Sequence, residues 1–211
     1  MSLDRLLAEG IAQLGLAVTP AQQAQLMAYL ELMAKWNKVY NLTAVRDKEA
    51  MVRQHLLDSL ALVPLVRGPR VLDVGSGAGL PGLVLAIVRP ELTVVTVDTV
   101  QKKIAFQNQV VAELGLSNAR PVFARVEQLQ DAPFDTITSR AFAELGLFVE
   151  LSRHLLAPDG EWLAMKGVMP GGEMAALPAD IAVLATLPLT VPGLDAERCA
   201  VRLRPRVTDF A

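Results

Sequence analysis

Apolar residues recur at helical spacing through the first third of the chain, and beyond it the spacing switches repeatedly between strand and helix. Leu3, Leu6, Leu7, Ile11 and Leu14 predict a first helix. Thr19-Pro20 then supplies an N-cap followed by proline at the first helical position, which predicts a second. That helix carries Leu26, Leu30, Met33 and Trp36 or Asn37 on one face and frays near Tyr40-Asn41-Leu42-Thr43. A third helical stretch runs from about Asp47 to Val63, with Met51, His55, Asp58 and Leu62 along one side, and stops near Pro64.

From Arg70 onward the alternation predicts a parallel α/β sheet with crossover helices. Strands are expected at 70–74, 92–97, 119–123, 134–139 and 160–166, with helices at 80–89, 100–115, 144–156 and 171–177. Ile181 to Leu189 and Arg198 to Arg204 read as two further strands joined across Pro192-Gly193. The expected organisation is a helical N-terminal extension over 1–66 and an α/β domain over 67–211.

Composition narrows the class. With 211 residues, 52% of them hydrophobic and 20% charged, the chain can bury a core as an ordinary globular protein. Its apolar runs are interrupted well before the roughly 20 residues of a membrane span, so no membrane segment is expected. Met1-Ser2-Leu3-Asp4-Arg5 lacks the order of a signal peptide, and Cys199 is alone, so no internal disulfide can form. A cytoplasmic monomer without a metal site is the expectation. The formal net charge of −2 announces no nucleic-acid binder. Any such role must come from local clusters, of which Lys35, Lys38, Arg46, Lys48 and Arg53 form one and Arg198, Arg202, Arg204 and Arg206 another.

Candidate chemistry centres on Val71-Leu72-Asp73-Val74-Gly75-Ser76-Gly77-Ala78-Gly79-Leu80-Pro81-Gly82. A short aliphatic strand ends in an acid, passes through a glycine-rich turn and enters a helix, which lets a ligand approach bare main chain. Gly77 to Gly82 satisfies G-x-G-x-x-G, a dinucleotide pattern that is weak alone. Asp73 changes the picture. An ionised carboxylate beside the loop would repel a pyrophosphate and attract a cation, which favours S-adenosylmethionine over NAD. Asp98 ends the next strand, where a carboxylate can bind ribose hydroxyls or cap the following helix. Val126 could lie along an adenine, with Glu127 or neighbouring backbone at its polar edge. Arg140 follows a later strand and could pair with a phosphate or with the methionine carboxylate; a surface salt bridge is the plainer role.

These segments carry a family resemblance. Lys35-Trp36-Asn37-Lys38-Val39-Tyr40-Asn41-Leu42-Thr43, His55-Leu56-Leu57-Asp58-Ser59, Asp73 to Gly82, Ser139-Arg140-Ala141-Phe142 and Lys166-Gly167 closely resemble the RsmG (GidB) family of bacterial 16S rRNA guanine-N7 methyltransferases. The likeness spans nearly the full length. It implies a class I S-adenosylmethionine-dependent methyltransferase fold, Rossmann-like, with a mostly parallel seven-stranded sheet behind the helical extension. It also implies methylation of guanine 527 of 16S rRNA at N7, in free RNA or in a small-subunit assembly particle. Carried over by motif, cofactor contacts fall at Gly75, Leu80, Val126, Glu127 and Arg140, with Asp73 and Asp98 added from the residues themselves and Gly77 of the same loop a further candidate. Gln54 and Cys199 depart from the family pattern, and neither touches the loop.

Guanine N7 carries a free lone pair, so attack on a sulfonium methyl needs no general base. Positioning and electrostatics can then supply catalysis. An (Asp/Asn)-Pro-Pro-aromatic loop, common for exocyclic amines, is replaced by Ser139-Arg140-Ala141-Phe142, and Cys199 lies too late in the chain to suggest pyrimidine C5 chemistry. Arg140 and Lys166 are the substrate-side candidates. Arg202, Arg204 and Arg206 alternate along a strand and are expected to contact RNA phosphates. His55 and Asp58 stand one helical turn apart; a packed histidine and a helix-surface hydrogen bond are expected there. Trp36 and Tyr40 are expected to be buried against the α/β domain. A small-molecule methyltransferase and a non-catalytic cofactor-sensing module remain open alternatives.

Overall fold

The computed structural model describes residues 2–206. Met1 and 207–211, the outer ends of the two expected units, lie outside the described residues. Helix α1 spans Leu3–Gln13 and α2 spans Pro20–Tyr40. The start predicted at Thr19-Pro20 is a full capping box: Gln22 N–H donates to Thr19 Oγ1 at 3.2 Å and Thr19 N–H to Gln22 Oε1 at 2.9 Å. At the other end of α2, Asn41 adopts the left-handed conformation and turns the chain sharply.

The third helical stretch is not one α-helix. It runs as α3 over Lys48–Met51, as a π-helix over Val52–Leu57 and as α4 over Asp58–Leu60. A π turn inserts an extra residue per turn, often at functional sites. Here it contains His55 and leads directly into Asp58.

The sheet has seven strands: β1 (Arg70–Val74), β2 (Thr93–Asp98), β3 (Ala119–Phe123), β4 (Phe134–Arg140), β5 (Leu156–Lys166), β6 (Ile181–Pro188) and β7 (Cys199–Pro205). Their order is β3-β2-β1-β4-β5-β7-β6, and β7 runs antiparallel to both of its neighbours. Crossovers are made by α5 (Gly82–Val88), α6 (Gln101–Leu114) and α7 (Leu145–Ser152), with the short α8 (Gly171–Ala175) after β5. The mostly parallel seven-stranded sheet is therefore present as the sequence led us to expect. Two boundaries in the α/β part differ by more than two residues. Strand β5 begins at Leu156 rather than at 160, because Ala157-Pro158-Asp159-Gly160, which looks like a turn, is absorbed by a register shift opposite Phe134 and Thr136. Helix α7 stops at Ser152, whose hydroxyl donates to Phe148 O and accepts from Trp162 Nε1.

Successive strand residues point to opposite faces, and each face has its own core. One side gathers Leu72, Val95, Ile137, Phe148, Trp162 and Val201. On the other, a continuous cluster joins Leu7, Leu30 and Leu57 to Val84, Val94 and Phe106. The N-terminal helices thus share the core of the sheet instead of standing apart from it. Each fully buried leucine there contributes about 2 kcal/mol. This packing carries the ends of α2 and the π-helix to the carboxyl edge of the sheet.

Candidate cofactor and substrate site

Strand order reverses between β1 and β4, and in open α/β sheets ligands bind at the carboxyl ends beside such a switch. Two cavities open there, of about 520 and 350 Å³. Gly75, Lys103 and Ala141 belong to the walls of both, so the two adjoin.

The glycine loop forms their shared floor. Gly75 has φ +65°, and an ideal Cβ there would lie 2.5 Å from Phe142 Cδ2. A side chain at this position meets both strain and a clash, which keeps the main chain bare. The loop is braced from below by three side chains. Tyr29 Oη donates to Ala78 O at 2.6 Å, and burial pushes this hydroxyl far above its ordinary pKa, so it remains a donor. Gln107 Nε2 donates to Ser76 Oγ and to Gly77 O, both at 2.8 Å, while Gln107 Oε1 accepts from Thr96 Oγ1. Asp73 Oδ2 accepts from Gly82 N–H at 2.8 Å.

Asp73 is the main revision to the residue-level expectations. It is fully buried beneath the loop and lines neither cavity. Its Oδ1 has no hydrogen-bond partner, and burial raises its pKa to about 7. The preference for a cationic ligand rests on an ionised carboxylate beside the loop. The residue instead holds the turn in shape.

The smaller cavity assembles the nucleoside candidates. Asp98, Val126 and Glu127 line it together with Gly75 and Phe142. Asp98 Oδ2 accepts from Gly77 N–H at 2.8 Å and Oδ1 from Val100 N–H at 2.9 Å, so one carboxylate ties the loop to the start of α6. Lys103 Nζ stands 3.9 Å from Asp98 Oδ2. Glu127 pairs at its rim with Arg125.

The larger cavity holds Leu80, Gly77, Arg140 and Lys166, all expected, and His55, Asp58 and Arg198, which were assigned plainer roles. Asp58 is buried and takes two guanidinium groups: Arg140 Nη1 donates to Oδ2 at 3.0 Å and Arg198 Nε to Oδ1 at 2.7 Å. Arg140 Nη1 also donates to Gln54 O at 2.8 Å. Ala141 has φ +54°, an unusual value for a residue with a Cβ. This kink aims Arg140 into the larger cavity and Phe142 into the smaller. Lys166 Nζ donates to Ala143 O at 2.9 Å and Glu173 Oε2 at 2.7 Å. His55 Nε2 lies 2.9 Å from Thr43 Oγ1, its Nδ1 has no partner, and burial with the nearby Arg140 lowers its pKa to about 4. It is a packed, neutral imidazole in the cavity wall.

Other expectations resolve differently. The lysine of β5 faces Cys199 across the β5/β7 pair, so β7 starts at the site and Arg202 and Arg204 lie progressively farther down the strand. Arg202 is engaged by both carboxylate oxygens of Glu161, Arg204 approaches Asp159, and Arg206 Nε donates to Ala179 O. The structure does not bring these three to the cavities. Cys199 is buried and burial raises its pKa, as an inert thiol. Trp36 packs on Phe106, but Tyr40 is exposed. Sequence reasoning missed Arg198 because it sits among strand arginines, and Lys103 because it resembles any helix-surface lysine. Among the described residues, no helix is long and apolar enough to cross a membrane and no acidic or His/Cys group could hold a metal ion.

The sheet order, the bare glycine loop and the paired cavities define a class I S-adenosylmethionine-dependent methyltransferase fold. A glycopeptide N-methyltransferase, MtfA, solved with S-adenosylmethionine, superimposes with a TM-score of 0.59 at 12% identity, over 72% of this chain and 87% of that one. The family model described as rRNA small subunit methyltransferase G matches residues 22–201. Ribosomal RNA small subunit methyltransferase G of Methylobacillus flagellatus is 56% identical over 97% of this chain and 99% of its own. That of Chromobacterium violaceum is also 56% identical, over 93% and 95%. The chain belongs to the rRNA small subunit methyltransferase G family.

Proposed function

We propose that this protein transfers a methyl group from S-adenosylmethionine to N7 of guanine 527 in 16S rRNA, in the cytoplasm and as a monomer. The observation that carries the reading is the pair of adjoining cavities at the β1/β4 switch, one suited to a nucleoside and the other walled by cations. The group fits the residues present: Gly75, where a Cβ would collide with Phe142, leaves bare main chain in the walls of both cavities, and Asp98 lines the smaller one at a strand end, where a carboxylate can take ribose hydroxyls. S-adenosylmethionine supplies, when bound, an electrophilic methyl on a sulfonium whose sulfur is its own leaving group.

The protein's part is binding and orientation. Asp98 would take the ribose, Val126 and Glu127 the adenine, and Gly75, Gly77 and Leu80 the methionine end. Arg140, fixed by Asp58 and the Gln54 carbonyl, would face the methionine carboxylate or the incoming nucleotide. Arg198, Lys103 and Lys166 add positive charge to the same wall, which suits a phosphate-bearing substrate. Since N7 has a free lone pair, a neutral His55 and an Asp58 committed to two arginines are no obstacle to the chemistry. A base held in a duplex groove is out of reach, so a loop or flipped guanine is the substrate.

Calorimetry with S-adenosylmethionine and with NAD, followed by transfer of labelled methyl to small ribosomal subunits, tests this. Binding of S-adenosylmethionine alone and label in the RNA are expected. NAD binding without S-adenosylmethionine binding, or label in metabolites and none in RNA, would refute it.

A further inference from the structure

Four exposed apolar side chains cluster by chain position at the mouth of the larger cavity. Val39 and Tyr40, 71% and 43% exposed, close α2; Asn41 then turns the chain, and Leu42 and Thr43 enter the cavity wall. On a second element Lys166 and Gly167 are wall residues, and Val168 and Met169 follow directly at 68% and 49% exposure. Two separate elements thus put an apolar lip on the same opening.

Tyr40 is a supported surface. Its ring centroid lies 5.0 Å from that of Trp36, which in turn packs edge-on at 5.5 Å against the buried Phe106. Across α2 from it, on the opposite face of the last turns, Lys35 and Lys38 are exposed and make no ion pair among the described residues. The nearby carboxylates are already occupied: Glu31 takes Lys48, Glu49 takes Arg53, and Asp47 caps α3. Arg46 donates to the Asn41 side-chain oxygen at 2.8 Å and also carries no carboxylate partner among the described residues. The end of α2 therefore carries a rigid aromatic face on one side and uncompensated cations on the other, next to apolar surface.

That combination matches single-stranded nucleic acid, in which every base has a stacking face and every link a phosphate. Resting on the rRNA reading above, we propose that this rim grips the nucleotides flanking the target base. Tyr40 stacks on one flanking base, Lys35 and Lys38 take phosphates where the strand passes round the end of α2, and Val168 and Met169 add apolar cover from the second element. The rim, instead of the arginines of β7, is the RNA-docking surface, since Arg202 is spent on Glu161 and lies down the strand from the opening.

The test compares wild type with Tyr40→Ala, Tyr40→Phe and the double variant Lys35→Gln/Lys38→Gln, using unmethylated small ribosomal subunits as the RNA probe and calorimetry for S-adenosylmethionine. Tyr40→Ala is expected to weaken subunit binding by roughly 5- to 100-fold, the range for one lost base stack, with cofactor affinity unchanged. Tyr40→Phe retains the ring and should stay within about twofold of wild type. The lysine pair should lower the slope of log affinity against log salt by about 1.5. Wild-type subunit affinity in Tyr40→Ala, an unchanged salt slope in the lysine variant, or loss of self-association instead of RNA binding would each overturn the proposal. Wild-type protein that binds S-adenosylmethionine but no subunit would overturn the rRNA reading itself, a result distinct from variants that behave like a binding wild type.

Discussion

Asp58 Oδ1 and Arg198 Nε meet at 2.7 Å although 140 positions separate them in the chain. The same carboxylate holds Arg140 with its other oxygen, so one buried acid from the N-terminal helices fixes two guanidinium groups from the far part of the chain. Removing a charge from such a site leaves its partners uncompensated.

Asp58→Asn is therefore expected to cost about 2–3 kcal/mol in urea unfolding, the lower end for a broken buried pair because both arginines reach solvent. Turnover on RNA should fall by roughly a hundredfold, since misplacing positioning groups by about 1 Å has that effect. Unchanged turnover in a stable variant would mean that the two arginines need no orienting.

His55 and Asp73 give stability a pH dependence of opposite sign. His55 is lowered from 6.5 to about 4 by burial first and Arg140 second. Between these values the unfolded chain binds a proton that the folded protein refuses, so this contribution is lost as pH falls. Asp73 is raised from 3.8 to about 7, mainly by burial. Its contribution is fully present below 3.8 and lost as pH rises through 7. Each slope is on the order of 1 kcal/mol per pH unit, and the two largely cancel in their shared window. Asp73→Asn should unmask stability that rises with pH, and His55→Gln stability that declines. Urea unfolding across this range checks both; parallel profiles in all three proteins would contradict them.

Gly75 and Gly15 separate strain from collision. Their φ angles are +65° and +66°, but a Cβ at Gly15 meets nothing within 4 Å, whereas at Gly75 it runs into Phe142. Gly15→Ala should cost about 1 kcal/mol and leave cofactor binding intact. Gly75→Ala should in addition weaken S-adenosylmethionine by at least about tenfold, because the Phe142 ring must move into the cavity it lines. Calorimetry on both variants decides, and equal affinities would show that the loop does not cradle the cofactor.

The sequence carried β1 and β2 well because both are short runs rich in aliphatic and β-branched residues, Val71-Leu72 between Gly68 and Gly75 and Val94-Val95 after Pro90, while β4 shows only the alternation Thr136-Ile137-Thr138. That Asp98, Val126 and Glu127 share one cavity wall was legible as well, since all three follow the ends of neighbouring parallel strands. Burial of Asp73 was not legible: the same Asp-x-Gly spelling serves a carboxylate facing solvent or one tucked beneath the turn, and only the packing of Gly82 and Thr96 decides. The π turn escaped for a related reason. Val52 to Leu57 keeps an acceptable α pattern, and the extra residue is absorbed by contacts with helices distant in sequence. Arg198 could be assigned only once β7 was known to run antiparallel with its start at the site.

Gln107 offers a prediction about support from below. Its amide bridges Ser76, Gly77 and Thr96 in a fully buried setting. Gln107→Leu keeps the volume and leaves the Gly77 carbonyl without its side-chain donor, an omission worth about 1–3 kcal/mol. The expected result is a raised KM for S-adenosylmethionine with kcat and RNA affinity near wild type. A drop in kcat at unchanged KM would place its effect elsewhere.

Methyl transfer to N7 of one guanine can be read out directly. The protein is incubated with labelled S-adenosylmethionine and small subunits from cells lacking this enzyme, and the RNA is then mapped by cleavage chemistry selective for 7-methylguanine. A single site at guanine 527 is the predicted result. Label at another base or another atom, or no label from protein that binds the cofactor, would contradict the account.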